Sequence, residues 1–239
     1  MSILGPYTGD PNKSYSYLFG PHWRGMKGYR VVKGSEQYQH RFGGETWKVP
    51  LCKNCNAPLH QILTFDLRDP RLEILRTESL EELPLVSCLN CSTSWEPQVF
   101  RVDAQNKEIK VLSQNDNQGW IREKEDRIPV PLPTVPVILT EMHSDDVPVD
   151  EQTYDRAFYL LGDEYICRLL GAPLYATDPI HRECPICKKE MTYIATFRGE
   201  SYTKAGKLMG KVDLFLGEMY LYFLLCRDCL VIKTESQGT

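Results

Sequence analysis

Eight of the nine cysteines form four Cys-x-x-Cys pairs, and this spacing constrains the fold more than any other feature of the 239-residue chain. The pairs are Cys52/Cys55, Cys88/Cys91, Cys184/Cys187 and Cys226/Cys229. Two cysteines separated by two residues can reach one ion from a single tight turn, and two such turns provide the four thiolates that a tetrahedral zinc ion prefers. We therefore predict two structural Zn2+ ions, each held by four cysteines.

Other uses of clustered cysteines depend on the compartment. The N-terminus, Met1–Tyr7, has neither a basic start nor a long apolar stretch, so we expect no signal peptide and a cytoplasmic location. A reducing cytosol disfavours structural disulfides. Four disulfides and an iron–sulfur cluster stay open as less favoured alternatives. A redox Cys-x-x-Cys motif is expected alone at a helix start, which four paired motifs do not match.

The cysteine pairs belong to an internal repeat. Residues 52–65 (CKNCNAPLHQILTF) match residues 184–197 (CPICKKEMTYIATF) at a constant offset of 184 − 52 = 132. Each copy continues into a stretch with β character, and a second Cys-x-x-Cys pair follows later. We predict an α+β, β-rich fold with two pseudo-symmetric halves, each containing a zinc-ribbon-like four-cysteine site. Sequential grouping of the ligands is favoured because local loop closure is easier, and exchange of pairs between halves stays open.

The chain divides into four parts on this basis. Residues 1–40 form an N-terminal segment without assignment, residues 41–127 the first repeat with its zinc site, and residues 151–239 the second repeat with its site. Residues 128–150 form a proline-rich and acidic connector. Because proline lacks a backbone donor, Ile128–Pro136 is predicted as an extended connector or edge segment and not as a central strand.

Two helices are predicted. Apolar residues recur at helical spacing from Glu151 to Leu170, and Gly171 stands where a C-cap glycine is expected. A shorter helix is predicted around Arg71–Glu82. Cys167, the ninth cysteine, falls near the C-terminal end of the longer helix, where neither a helix N-terminus nor a neighbouring histidine activates it. We therefore predict that Cys167 is buried in the core.

The sequence contains little that predicts catalysis. A zinc ion with four thiolates has no open position for water, so its role is structural. His181 lies three residues before Cys184, and we predict a surface histidine there, with a role near the metal as the alternative. His22, His40, His60 and His143 have no partner visible in the sequence. None of the common nucleotide-binding, hydrolase or metalloprotease motifs is present, so we predict a protein that is not an enzyme.

Charge limits the choice of partner. The net charge is −4 and the isoelectric point is near 5.8, which argues against a polyanion as the main partner. Glu141–Glu164 contains eight acidic residues and one arginine, whereas Arg182–Lys211 contains seven basic and three acidic residues. Both segments are interpreted as solvated surface, with steering of a protein partner as the alternative. Leu214–Cys226, the longest apolar run, is interrupted by Gly217 and Glu218, so we expect no membrane span.

One family resemblance emerges from these motifs. Residues Gly43–Pro70, GGETWKVPLCKNCNAPLHQILTFDLRDP, resemble the pattern Gly-Gly-x-Pro-x-Trp…Cys-x-x-Cys-x-x-Pro-Leu of programmed-cell-death-protein-two-like proteins and of the distantly related bacterial YwqG-like family. Gly171-Ala172-Pro173 followed by Cys184–Met191 and Leu221–Cys226 is similar to a second copy. Glu45 stands where the family often has proline, and the second copy lacks the Trp and the Gly-Gly pair.

The resemblance implies a duplicated β-rich domain without known catalysis that binds one protein partner. Eukaryotic members act as dedicated chaperones of a ribosomal protein, and bacterial members are similar to genes found beside secreted toxins. We therefore predict a non-enzymatic, zinc-stabilised immunity protein that binds and neutralises a cognate bacterial toxin. A chaperone of a ribosomal protein is one alternative. A zinc-ribbon nucleic-acid-binding protein, based on Tyr193, Phe197 and Tyr202 among the basic residues of Arg182–Lys211, is the other and is less favoured.

Overall fold

The structure, a computed structural model, describes residue 18 and residues 24–116, 119–204, 206–210 and 212–238. Within these residues, one α-helix and several short 3-10 helices accompany one large antiparallel sheet. The predicted β-rich, internally duplicated architecture is confirmed. None of the helices in the described residues has the length and apolar character needed to span a bilayer.

The sheet contains eleven strands over the described residues. In chain order they are β1 (Gly28–Lys33), β2 (Arg41–Phe42), β3 (His60–Asp66), β4 (Glu82–Ser87), β5 (Gln98–Asp103), β6 (Glu108–Ser113), β7 (Val135–Glu141), β8 (Cys167–Leu170), β9 (Thr192–Arg198), β10 (Met219–Cys226) and β11 (Val231–Gly238). Their spatial order is β4-β3-β2-β7-β1-β8-β9-β10-β11-β5-β6.

The 132-residue offset of the sequence extends to details of the backbone. Strand β3 spans residues 60–66 and β9 spans residues 192–198, so both ends differ by 132. The β3–β4 ladder skips Ile62, and the β9–β10 ladder skips Ile194, again 132 residues apart. A β-bulge places one extra residue at each of these points. Both hairpins were therefore built on the same local plan, bulge included.

The sheet order is a palindrome around its centre. The run β4-β3-β2-β7 is matched in reverse by β1-β8-β9-β10, with β1 and β7 paired antiparallel from Tyr29–Glu141 to Lys33–Val137. Strand β2 pairs with β3 through Phe42–Leu63, and β8 pairs with β9 through Leu169–Ala195. The strand that completes the second hairpin therefore comes from the N-terminal segment, and the strand that completes the first comes from the connector.

Residues 128–150 are thus part of the sheet, because they contain β7. Ile128–Thr134 precede this strand, whereas Val135 and Pro136 lie within it, between β2 and β1. The segment was predicted as an extended connector or edge segment and not as a central strand, but its last two residues begin β7, which lies in the interior of the sheet. At these two residues β7 pairs with Phe42 and Arg41 of β2, while its ladder with β1 ends at Val137. The Pro136 carbonyl accepts from the Gly34 amide at 3.1 Å, so the missing proline donor faces the side on which β1 has already ended at Lys33.

The predicted helix Glu151–Leu170 was too long. The structure has helix α1 at Glu151–Asp163, with Leu161 and Gly162 already outside helical backbone geometry, and β8 follows at Cys167–Leu170. Gly171 consequently follows a strand and is not a helix cap. The apolar spacing continued into β8 because this strand is buried between β1 and β9, where tertiary pairing overrides local helical preference. Cys167 is fully buried, as predicted, but on a strand.

The shorter predicted helix, Arg71–Glu82, is also largely absent. A 3-10 helix spans Pro70–Leu75, and Glu82 already begins β4. The N-terminal segment of residues 1–40 includes β1, and most of its earlier residues lie outside the described part of the chain.

The sheet curls so that its first hairpin approaches its far end. The Thr234 hydroxyl of β11 donates to the Val86 carbonyl of β4 at 3.2 Å, and the Gln98 amide of β5 donates to the Ser87 hydroxyl at 2.8 Å. A large apolar core lies inside the curl, and a smaller one, rich in tyrosine, lies between the second hairpin and α1. The two cysteine-rich ends are carried by hairpins that this core holds in place.

Candidate metal centres

Each cysteine cluster lies at the end of one of the duplicated hairpins. The first pair of each cluster precedes β3 or β9, and the second pair follows β4 or closes β10. In the first turns, the amides of Asn56 and Lys188 donate to the carbonyls of Cys52 and Cys184 at 2.9 and 3.0 Å. Asn56 and Lys188 both have left-handed backbone, with φ of 55° and 64°. These matching turns direct two sulfur atoms toward one point.

The eight predicted ligands form two groups of four, one from each half. Cys52, Cys55, Cys88 and Cys91 form the first group, and Cys184, Cys187, Cys226 and Cys229 form the second, with all sulfur atoms of a group within 4.8 Å of one another. Sequential grouping is therefore the arrangement of the sulfur atoms in this structure, and pairs are not exchanged between halves.

The sulfur spacing fits a single metal ion. Sγ–Sγ distances are 3.6 Å for Cys52–Cys91 and Cys55–Cys88, and 3.4 Å for Cys88–Cys91. In the second cluster, Cys187 and Cys226 are 3.6 Å apart. A tetrahedron with Zn–S bonds of about 2.3 Å has edges of about 3.8 Å, whereas a disulfide bond is about 2.05 Å long. All nine cysteines are free thiols here, and each cluster could hold one metal ion.

Protonation of the thiols depends on their surroundings. Burial raises the pKa of Cys55 to about 11 and that of Cys226 to about 12, whereas the backbone amide of Lys189 lowers the pKa of Cys187 to about 7. Hydrogen bonds from the Cys52 and Cys88 thiols lower the pKa of Cys91. A divalent cation deprotonates the thiols that coordinate it. Metal binding at these clusters would therefore release protons and weaken as the pH falls.

The first cluster is enclosed by a segment far away in sequence. Ile121 forms an antiparallel bridge with Cys91, and the Ser92 amide donates to the Trp120 carbonyl at 2.8 Å. Cys52, Cys88 and Cys91 are buried, and Cys55 is partly exposed. A buried hydrogen-bond network also packs beside the first cluster, and in it His60 Nδ1 accepts from the Leu89 amide at 3.2 Å. This network immobilises the second cysteine turn.

The second cluster lies closer to solvent. Cys184 and Cys226 are buried, whereas Cys187 and Cys229 are partly exposed. After Cys229 the chain turns at once into β11, so no segment comparable to residues 92–127 is inserted there. An exposed ion pair, Lys189 Nζ to Asp228 Oδ2 at 2.5 Å, joins the two cysteine turns on the outside.

The remaining candidates from the sequence lie outside both groups of four cysteines. His181 is exposed, and its carbonyl accepts from Lys233 Nζ at 2.9 Å. His143 is exposed, His60 is buried beside the first cluster, and His22 lies outside the described residues. Burial raises the pKa of the Cys167 thiol, which makes Cys167 a poor nucleophile.

A third group of potential ligands, which no sequence motif indicates, consists of Glu36, His40 and Asp69. His40 Nε2 lies 2.9 Å from Asp69 Oδ2, and Nδ1 accepts from the Asp66 amide at 3.1 Å. Arg71 Nη2 lies 2.6 Å from carboxylate oxygens of both Glu36 and Asp69. The guanidinium occupies the position that a cation would need, so this group is a partly buried ion-pair network in which His40 and Asp69 are buried and Glu36 is exposed.

A cleft between the two halves was also invisible in the sequence. It measures about 850 Å3 and is bounded by the 3-10 helix of the first half and by the start of β9 in the second. Arg71 pairs with Glu36, and Arg182 pairs with Glu190 at 3.4 Å and donates to the Met191 carbonyl. The residues that line the cleft come from segments about 120 residues apart in the sequence, and they meet only because the two halves pair.

No protein-family model matches the chain, and no curated protein or solved structure matches it either. The resemblance to programmed-cell-death-protein-two-like and YwqG-like proteins therefore stays a prediction.

Proposed function

We propose that this protein is a non-enzymatic, zinc-stabilised binding protein for one protein partner, with a cognate bacterial toxin as the favoured partner. The observation that carries the metal part is the pair of four-cysteine clusters at equivalent hairpin ends. Four thiolates fill a tetrahedral shell, so the ion has no position for substrate and stabilises the fold. The expected gain is on the order of 10 kcal/mol per site at neutral pH.

Support for partner binding comes from the cleft between the halves. The cleft has a volume of about 850 Å3, and its walls offer apolar and charged side chains to a segment of the partner. Pairing of Arg71 and Arg182 with carboxylates fixes these walls in advance, which lowers the cost of binding. The toxin as partner follows from the family resemblance, as does the alternative, a ribosomal protein held by a dedicated chaperone.

Elemental analysis of the purified chain tests the metal assignment. We expect about two zinc ions per chain, because each cluster provides a complete tetrathiolate shell. Iron in place of zinc would give visible charge-transfer absorption. The clusters would then be iron sites, and the zinc assignment would be wrong. Absence of metal together with loss of free thiols would favour disulfides and contradict it.

Isolation of the native complex from the source cells tests the partner. The zinc-loaded chain should co-purify with one protein at a 1:1 ratio after nuclease treatment. A secreted toxin domain would support the immunity role, and a basic ribosomal protein would support the chaperone role. Recovery of folded zinc protein without a stoichiometric partner would contradict both roles, and a nuclease-sensitive complex would favour the nucleic-acid alternative.

A further inference from the structure

Five large exposed side chains lie in segments that meet beside the first cluster. Trp95 is 57% exposed and Trp120 is 48% exposed, and their rings stack 6.1 Å apart at an interplanar angle of 4°. Phe215 and Tyr202 form a second pair with an edge-to-face contact at 6.2 Å, and Ile121 lies next to Trp120 in the chain. We call these five residues the aromatic patch. Groups of large exposed apolar side chains of this kind mark interaction sites.

The patch is assembled from four segments, those of Trp95, Trp120–Ile121, Tyr202 and Phe215, and one arginine joins two of them. Arg122 lies with its Cζ atom 5.4 Å from the Trp120 ring centre, and its Nη2 donates to the Phe215 carbonyl at 3.0 Å. Its Nε donates to the Leu89 carbonyl at 3.3 Å. The guanidinium is therefore occupied by the scaffold and is not available to a ligand. Stacking and these bonds hold the indole rings in fixed positions before any partner arrives.

The first cysteine cluster positions both tryptophans. Trp95 ends the 3-10 helix Ser92–Trp95, which starts directly after Cys91. Trp120 is held through its carbonyl by the Ser92 amide, and its neighbour Ile121 bridges Cys91. A metal ion in the first cluster would thus stabilise the backbone that carries the patch, whereas the second cluster lies on the other hairpin.

The charge around the tryptophans is negative. Exposed carboxylates stand in or next to the tryptophan-bearing segments at Glu96, Asp116, Glu123, Glu125 and Asp126, against two exposed cations, Lys124 and Arg127. Lys204 and Lys207 lie near Tyr202, so the negative rim belongs to the tryptophan end of the patch. Indole faces attract guanidinium and ammonium groups, and carboxylates around them add to this attraction.

We infer that the aromatic patch is a docking surface for a protein partner that presents arginine or lysine side chains among apolar ones. The inference rests on the proposed function, whose partner it describes. Exposed Trp and Tyr are among the residue types that dominate binding energy at protein interfaces. A single-stranded nucleic acid would also stack on indoles, but its phosphates would face the carboxylate rim.

The test uses a fluorescein-labelled twelve-residue peptide of alternating arginine and leucine, titrated with the zinc-loaded full chain and followed by anisotropy. We expect saturable binding that Trp95→Ala and Trp120→Ala each weaken by about tenfold or more, as hot-spot residues do. Tyr159→Ala is the matched control, because this aromatic residue is 70% exposed on α1, outside the patch, and should leave the affinity unchanged. A peptide with glutamate in place of arginine should not bind.

Several results would overturn the inference. Equal binding of both peptides, or equal binding by wild type and both tryptophan variants, would remove the patch as a cation-selective surface. Tighter binding of a labelled oligothymidylate would assign the patch to nucleic acid, and self-association that the variants abolish would assign it to a second copy of the chain. If a native partner is captured equally by wild type and Trp95→Ala, the proposed function survives and the patch falls.

Discussion

The two cysteine clusters share one local plan and differ in what surrounds them. Their first turns have equivalent hydrogen bonds and a residue with left-handed backbone at the equivalent position, Asn56 or Lys188. Their hairpins have β-bulges at equivalent positions, 132 residues apart. The first cluster is enclosed by residues 120–122 and by a buried histidine network, whereas the second opens to solvent through Cys187 and Cys229.

This difference teaches that a duplicated metal-binding turn can serve unequal tasks. Residues 92–127 follow the second cysteine turn of the first half, and they supply β5, β6 and the segment that covers the cluster. The corresponding turn of the second half leads directly into β11, to which β5 adds itself. The first cluster is therefore enclosed by a segment that follows it in the chain, whereas the second cluster mainly connects the two turns of its own hairpin.

The largest contrast is expected on removing one ligand from each cluster. Cys88→Ser leaves an incomplete shell in a buried site, and we expect a loss of unfolding free energy of about 4–5 kcal/mol or more, together with one of the two zinc ions. Cys229→Ser should cost only about 1–3 kcal/mol, since water can complete the shell at a partly exposed position.

Zinc content and urea denaturation measure both effects. Cys167→Ser is the control, because it changes a fully buried cysteine outside both clusters and should lower stability while leaving two zinc ions. Equal destabilisation by Cys88→Ser and Cys229→Ser would break the comparison.

A chelator should remove zinc from the two clusters at different rates. Because two of its four thiols are partly exposed, the second cluster should lose its ion first, and release to a coloured chelator should show two phases of one equivalent each. Tryptophan fluorescence should change only in the slow phase, since Trp95 and Trp120 adjoin the first cluster. A fluorescence change in the fast phase would reverse the assignment.

The histidine beside the first cluster should add a pH dependence that the second cluster lacks. Burial lowers the pKa of His60 to about 4, whereas an unfolded histidine has a pKa near 6.5. The unfolded chain therefore binds the proton more tightly, so this stability is complete above about pH 6.5 and falls by up to about 3 kcal/mol as the pH drops to 4.

His60→Thr tests this, because Thr192 stands at the equivalent position of the second copy. Urea denaturation at pH 7.5, 6.0 and 5.0 in excess zinc should show a shallower slope for the variant. Identical slopes for wild type and variant would show that His60 does not titrate with folding.

The smallest effect is expected from the ion pair outside the second cluster. Lys189 and Asp228 are exposed, and surface pairs of this kind are screened by solvent. Lys189→Ala should leave the urea midpoint and the rate of zinc release unchanged within error. A clear acceleration of zinc release would show that the Lys189–Asp228 pair shields the second cluster from solvent. The two clusters would then differ less in solvent access than we expect.

Prediction from sequence succeeded where the determinants are local. The Cys-x-x-Cys spacing and the repeat identified both clusters and the duplicated β-rich fold, because a turn of four residues sets where its two thiols point. The prediction that Cys167 is buried was also confirmed, although it rested on a helix where the structure has β8. The helical spacing of residues 151–170 failed at Gly162, because pairing of β8 with two strands outweighs a local preference.

The features that distinguish the halves could not be found in this way. Pairing of β1 with β8, and of β7 with β2, joins segments separated by about 100 residues or more, and no local pattern specifies such partners. No local sequence pattern predicts that His40 pairs with Asp69, 29 residues away. None predicts that Trp95 stacks on Trp120. The cleft and the aromatic patch are products of these long-range contacts.

By itself, the sequence determined that this chain has two four-cysteine sites on equivalent hairpins, since thiol spacing and turn geometry are properties of a few adjacent residues. The tertiary structure alone decided which site is enclosed, which strands complete each half, and where aromatic and charged side chains meet at the surface. The physical reason is range: coordination turns are specified within a handful of residues, whereas burial and exposure depend on every segment that packs nearby.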